Sequence, residues 1–193
     1  MSFLDEIQRE SARTKLKHVE TRVIRLIPAD QSLDDKVYPV PRTEERLFIG
    51  SIDAAHNLSE LEQHKITHIL VCAPDIEHKY PDLFTYEQVD LLDDVKQELS
   101  QKMRQCIQWI EEVLNEKKEN KILIHCVAGV SRSASVCLTY MMYKNRELNL
   151  DAALTLLKKS RKQVQPNKGF MSQMEAFHQS NFVWLTNSES ARP

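Results

Sequence analysis

A chain of 193 residues can build one domain with a full hydrophobic core, and its 41% hydrophobic content is ordinary for a soluble protein. The formal net charge of -2 gives no electrostatic basis for binding nucleic acid or an anionic membrane, and no apolar run approaches the ~20 residues of a membrane span. The N-terminus is charged rather than signal-like, and Cys72, Cys106, Cys126 and Cys137 show neither paired spacing nor a metal-ligand pattern, so a reduced cytoplasmic or nuclear setting is expected.

Residues 1–36 read as an N-terminal arm and linker. In the arm Phe3, Leu4, Ile7, Leu16, Val19 and Val23 fall only loosely at helical spacing, which suits either a docking segment for a partner or a strap that covers the domain. Pro28, Pro39 and Pro41 mark 28–45 as linker, and the domain proper is expected over 37–185. Residues 46–50 predict a short strand, and 58–65 predict a helical turn or two capped by Asn57 or Ser59. Two β-rich runs follow at 66–73, stopped by Pro74, and at 86–92. Leu99, Met103, Cys106, Ile107, Ile110 and Leu114 then share one helical face, with Ser100 or Asp94 near the helix start.

The next strand leads into the most informative stretch. Residues 121–134 read Lys-Ile-Leu-Ile-His-Cys-Val-Ala-Gly-Val-Ser-Arg-Ser-Ala: an apolar strand, a loop of small residues, then a helix. A cysteine thiolate is a good nucleophile toward phosphorus. The residues between Cys126 and Arg132, namely Val127, Ala128, Gly129, Val130 and Ser131, can curl so that their N–H groups converge on one anion, while Arg132 closes the ring with a planar fork of donors. The helix N-terminus favours both a bound phosphate and an ionised Cys126. A right-handed crossover makes the strand at 86–92 parallel to the one that carries Cys126, so the acidic loop at 90–94 arrives at the same sheet edge as a source of a general acid. His125 reads either as a loop-orienting group or as a packed strand-end histidine.

Residues 132–143 are apolar on nearly every side and predict a central, buried helix. Asn149 or Asp151 caps the following helix, with Ala152, Ala153, Leu156 and Leu157 toward the core and Lys158, Lys159, Arg161 and Lys162 toward water as a solvated basic cluster. A last helix is predicted over 169–185 through Phe170, Met174, Phe177 and Trp184, and 186–193 reads as a polar tail.

His-Cys, five residues, Arg, then Ser at 125–133 resembles the signature of the cysteine-dependent protein phosphatases. From about 37 to 185 the chain looks like their small dual-specificity members: Leu-Thr-Tyr-Met-Met at 138–142 resembles the buried helix after the loop, and Pro-Asn-Lys-Gly-Phe at 166–170, with Gln173, resembles a segment whose asparagine braces the phosphate loop. Residues 49–73 are similar to the atypical member that regulates the stress-activated protein kinase pathway. The resemblance implies a single α/β domain with a central, mostly parallel (mixed) sheet of about five strands flanked by helices. It also implies a role for Ser133 in stabilising the departing thiolate, for Asn167 as a brace and for Asp93 as the general acid, with Asp94 as the alternative. No metal and no cofactor are implied, and the partners would be phosphorylated proteins, kinases of a MAP kinase pathway among them. Phosphoinositide phosphatases of the tensin-homologue type carry lysines inside the loop, and Val-Ala-Gly-Val-Ser at 127–131 has none, which disfavours a lipid substrate. Val-Cys-Ala at 71–73 resembles a segment of the tensin-homologue phosphatase whose cysteine pairs with the catalytic one, which makes Cys72 a candidate redox partner of Cys126. A binding scaffold that retains the fold without turnover is the competing reading.

Overall fold

The computed structural model describes residues 34–186, the side chains of Trp184 and Thr186 excepted. The N-terminal arm up to position 33 and the tail from 187 lie outside the described residues. Five short strands form one mixed sheet: β1 (Tyr38–Pro39), β2 (Leu47–Gly50), β3 (His68–Val71), β4 (Thr85–Gln88) and β5 (Ile122–His125), in the order β1-β2-β5-β3-β4. All pairs are parallel except β1 on β2. The register sets Gly50, His125, Val71 and Gln88 in one row, so four strands end at a common edge.

The helices are α1 (Ile52–His56), α2 (Leu58–Gln63), α3 (Ser100–Glu116), α4 (Arg132–Lys144), α5 (Leu150–Ser160), α6 (Lys168–Gln179) and α7 (Val183–Thr186). Alternation along the strands divides the apolar residues between two cores. Leu47, Ile49, Leu70, Ile122 and Ile124 face α3 to α6, whereas Phe48, Ile69, Val71 and Leu123 face Ala54, Ala55 and Leu61 of α1 and α2. Each such large side chain, removed from water, contributes about 1.5–3 kcal/mol. Helix α4 is the hub: every residue from Arg132 to Met142 is buried. Two of its polar side chains bond back to the preceding turn: the Ser135 and Thr139 hydroxyls donate to the carbonyls of Ser131 and Ser135 at 2.9 and 2.8 Å.

The mixed sheet and the flanking helices agree with the sequence expectation, and several details differ. Residues 38–39, expected as linker, add an edge strand, where Pro39 is tolerated because an edge needs no second row of donors. Helix α1 had no periodic signal, being five residues long; Ser51 starts it by accepting from Ala54 N at 3.2 Å. Asn57 rather than Ser59 caps α2, Asn149 rather than Asp151 caps α5, and α3 has no side-chain cap. The helix expected over 169–185 breaks at Ser180, because Asn181 and Phe182 take φ of 50° and 57° and turn the Phe182 side chain fully into the core. Ala152 is exposed instead of facing the core. Arg161, expected among the solvated residues of the basic cluster, is 2% exposed, and its role emerges at the sheet edge.

Candidate active site

Strand β5 ends at His125, and residues 126–131 form a loop that closes on the N-terminus of α4. Gly129 lies where the loop crosses the end of β2: its φ is 66°, and a Cβ there would stand 2.4 Å from the Gly50 carbonyl oxygen. Both conditions exclude a side chain. Behind the loop, consecutive carbonyls are held from outside. Val127 O accepts from Ile52 N at 2.9 Å and Val130 O from Gln165 N at 2.8 Å. Between them, Ala128 O and Gly129 O accept from Arg161 Nη2 and Nε at 3.1 and 2.9 Å. A trans peptide points its C=O and N–H to opposite sides, so pinning these carbonyls outward aims the N–H groups of residues 128–131 the other way, toward a common centre.

Cys126 sits at that centre and is 2% exposed. Gly129 N donates to its Sγ at 3.3 Å, and Ser133 Oγ lies 3.3 Å from the same atom. The neighbouring His125 has Nδ1 3.1 Å from Cys126 O. A carbonyl can only accept, so Nδ1 carries the ring proton. Burial pushes the imidazole down to about 4, the Cys126 carbonyl only partly opposing it, and the ring is neutral at ordinary pH. The Nδ1–Cys126 O bond joins the buried ring to the first residue of the loop. Arg132, 7% exposed, reaches back to Leu91 O at 3.4 Å and so ties the loop to the segment that carries the acidic residues.

Of the three acidic candidates the structure brings one to the loop. Asp93 Oδ1 accepts from Ser131 Oγ at 2.7 Å and from Asn167 Nδ2 at 2.9 Å. Asp94 instead turns away and accepts from Lys96 N at 2.7 Å in a local turn, and Asp90 is exposed. The segment 91–99 is fastened to the start of α6. Asn167 caps that helix through Phe170 N at 2.9 Å, Gln173 bonds Leu99 N and Gln97 O at 2.8 Å each, and Gly169 touches the backbone of Val95, whose oxygen would stand 1.9 Å from any Cβ. The Pro-Asn-Lys-Gly-Phe stretch is thus the seat of the acidic loop. Asn167 meets the phosphate loop only through its own backbone N, which donates to Ser131 Oγ at 3.1 Å.

Cys72 lies one register position beyond the Val71–His125 pair and donates its N–H to His125 O at 2.8 Å, which sets it beside Cys126 on the adjacent parallel strand. It is fully buried, and its thiol is held well above the usual range first by burial and then by the neighbouring Cys106. Burial likewise holds the Cys137 thiol high. Sequence reasoning missed Arg161 altogether. Its place in a Lys-Lys-Ser-Arg-Lys run at 158–162 looks like a solvated helix end, and no local signal shows that it turns inward.

Residues 47–180 match the family model described as the dual specificity phosphatase catalytic domain. The chain is 37% identical over 131 residues to dual specificity protein phosphatase 19 of Mus musculus, an alignment that takes in 68% of this chain and 58% of that protein's length. It is 30% identical to dual specificity protein phosphatase 1 of Arabidopsis thaliana across 89% of this chain and 84% of the relative. Among solved structures, the human tyrosine phosphatase-like serine/threonine/tyrosine-interacting protein superposes with a TM-score of 0.67 at 25% identity, covering 76% of this chain and 98% of that one.

Proposed function

The chain belongs to the dual specificity phosphatases, and from that membership and the geometry of the loop we propose that it hydrolyses phosphotyrosine and phosphothreonine or phosphoserine in proteins through a cysteinyl-phosphate intermediate. The observation that carries this reading is the convergence of Gly129 N and Ser133 Oγ on Cys126 Sγ at the centre of a loop whose carbonyls at 127–130 are held from outside.

In the first step Cys126 attacks phosphorus in line, the S–P bond forms and the bond to the substrate oxygen breaks. The inward N–H groups of 128–131 and the Arg132 guanidinium hold the equatorial oxygens. Asp93 gives its proton to the departing oxygen. Its Oδ1 is occupied by Ser131 and Asn167, which leaves Oδ2 to carry that proton. In the second step Asp93, now ionised, takes a proton from a water that attacks phosphorus, and the Ser133 hydroxyl stabilises the thiolate that leaves. Among the described residues no helix is long and apolar enough to cross a membrane. A reducing cytoplasmic setting suits a free thiolate nucleophile, and kinases of the stress-activated pathway are the partners that the resemblance at 49–73 suggests.

The chemistry is metal-independent in this reading. Phosphotyrosine and phosphothreonine peptides are both turned over in the presence of EDTA and inhibited by orthovanadate; activity that EDTA removes and a divalent metal restores overturns the mechanism. The competing reading, a phosphoprotein-binding scaffold, draws on the human tyrosine phosphatase-like neighbour, an interacting protein by name. A binder has no use for the Asp93 network, and p-nitrophenyl phosphate with and without orthovanadate separates the two readings.

Cys72 is the proposed redox partner. Peroxide converts the Cys126 thiolate to a sulfenic acid, the Cys72 thiol displaces hydroxide from that sulfur, and a disulfide and water result. Adjacent strands stand ~4.8 Å apart, inside the roughly 4.4–6.8 Å that a disulfide needs between Cα atoms. Burial raises the Cys72 thiol and disfavours its ionisation, which suits it to the resolving role rather than to first attack by peroxide. Peroxide-treated wild type is expected to regain activity with dithiothreitol while Cys72→Ser does not. Equal recovery in both removes the switch.

A further inference from the structure

Arg161 stands behind the phosphate loop and spends three different nitrogens there. Nε and Nη2 donate to Gly129 O and Ala128 O at 2.9 and 3.1 Å, and Nη1 donates to Asp34 Oδ2 at 2.7 Å. The guanidinium lies over the Tyr38 ring, 5.3 Å from its centroid, and its side chain is 2% exposed. Asp34 is itself held in place. Its Oδ2 also accepts from Tyr38 OH at 2.9 Å and Gln163 Nε2 at 3.3 Å, its Oδ1 from Lys36 N at 3.1 Å, and its carbonyl from Ser51 Oγ at 2.6 Å. The segment around it is stitched down in turn, because Glu60 binds Lys36 Nζ at 2.9 Å and Val37 N at 3.2 Å.

The peptide plane that joins Ala128 to Gly129 connects this arrangement to the nucleophile. One end of that plane is Ala128 O, which accepts from Arg161; the other end is Gly129 N, which donates to Cys126 Sγ at 3.3 Å. A cationic donor on the carbonyl fixes the rotation of the plane and polarises it, which strengthens the N–H at the far end. The next plane, from Gly129 O to Val130 N, is held in the same way. At Val127 and Val130 the corresponding carbonyls are held by backbone N–H groups, which a side-chain substitution leaves in place. The middle of the cradle alone depends on a side chain, and only a planar fork spans two successive carbonyls and a carboxylate at once.

We infer that Arg161 is a positioning residue for Cys126 and for the bound phosphoryl group, acting through the Ala128–Gly129 and Gly129–Val130 peptides, and that Asp34 is the counter-ion that keeps its guanidinium in register. The inference rests on the reading of Cys126 as nucleophile. It places part of the active-site support in residues 34–38, ahead of the first strand of the parallel sheet.

The test uses the full chain with Arg161→Lys, Arg161→Met, Asp34→Asn and the double variant Asp34→Asn/Arg161→Met. Three quantities are measured on each: the melting temperature, the pH profile of Cys126 alkylation by iodoacetamide, and inhibition by tungstate. In Arg161→Lys and Arg161→Met the midpoint of the alkylation profile moves up by about one pH unit and tungstate inhibition weakens roughly tenfold, as loss of charge-assisted bonds predicts. Asp34→Asn keeps its shape and the fold, and shifts both readouts in the same direction by less. In the double variant Asp34→Asn adds nothing further to Arg161→Met. A purely structural role lowers the melting temperature but leaves the alkylation profile and the tungstate constant of the folded protein where they are in wild type, and that result in Asp34→Asn and Arg161→Lys overturns the inference. An Asp34→Asn effect that persists in full beside Arg161→Met breaks the link between the two residues. Alkylation reports on the thiol without turnover, so a protein that binds phosphate but never hydrolyses it refutes the proposed function and leaves this test intact.

Discussion

Replacing Cys126 by serine is expected to lower turnover by at least about four orders of magnitude while phosphopeptide binding stays within a few-fold of wild type. The size follows from removing the group that forms the covalent intermediate, since no second step exists without the first. Binding survives because the cradle is not made by the sulfur. The carbonyls of 127–130 remain pinned by Ile52 N, Arg161 and Gln165 N, and Arg132 remains tied to Leu91. A serine hydroxyl can keep the contacts with Gly129 N and Ser133 Oγ, so the melting temperature changes little. Isothermal titration with a non-turned-over phosphotyrosine peptide and single-turnover assays of the same protein measure the two halves. Residual turnover above about 1% of wild type would mean that another group attacks phosphorus.

The parts of this site that were legible in the sequence share one property: their chemistry and their chain order coincide. Cys126, Ser133 and Arg132 lie on a strand–loop–helix transition whose apolar flanks identify it, and a crossover rule suffices to bring the loop at 90–94 to the same edge. The place of Cys72 beside Cys126 comes from the family resemblance at 71–73 rather than from that rule, and the pairing of β3 with β5 agrees with it. What stayed hidden depends on side chains that cross between elements. Arg161 sits in a basic run, and nothing local distinguishes the one buried arginine from its solvated neighbours Lys158, Lys159 and Lys162; its burial is decided by Ala128, Gly129 and Asp34, more than thirty and more than one hundred residues away. Residues 34–39 read as linker because Pro39 and Pro41 speak against a strand, whereas the partners that hold them belong to α2 and to the segment after α5. The break at Ser180 was invisible for another reason. Asn181 tolerates a left-handed backbone but Phe182 ordinarily does not, and the burial of the Phe182 ring against Tyr143 offsets that cost.

Asparagine at position 93 is expected to cost roughly two orders of magnitude in kcat on a phosphothreonine peptide, within the range that general acids supply. The substitution isolates the proton. An amide oxygen can still accept from Ser131 Oγ and Asn167 Nδ2, as Asp93 Oδ1 does at 2.7 and 2.9 Å, so the loop at 91–99 keeps its seat on α6. Two signatures separate loss of the acid from a general loosening. An aryl leaving group departs with less help than an alkyl one, so the deficit on p-nitrophenyl phosphate is smaller than on phosphothreonine. The pH profile changes in a defined direction as well: only the protonated acid can donate, so the alkaline fall of wild-type kcat is absent in Asp93→Asn. Asp94→Asn keeps the alkaline fall and changes kcat by no more than a few-fold, because Asp94 serves the turn at Lys96 N and does not face the phosphate loop. The reverse pattern, an alkaline fall lost in Asp94→Asn and retained in Asp93→Asn, would move the general acid one residue along. It would also require the segment to turn over on binding substrate, since Ser131 and Asn167 hold Asp93 and not Asp94 in the structure.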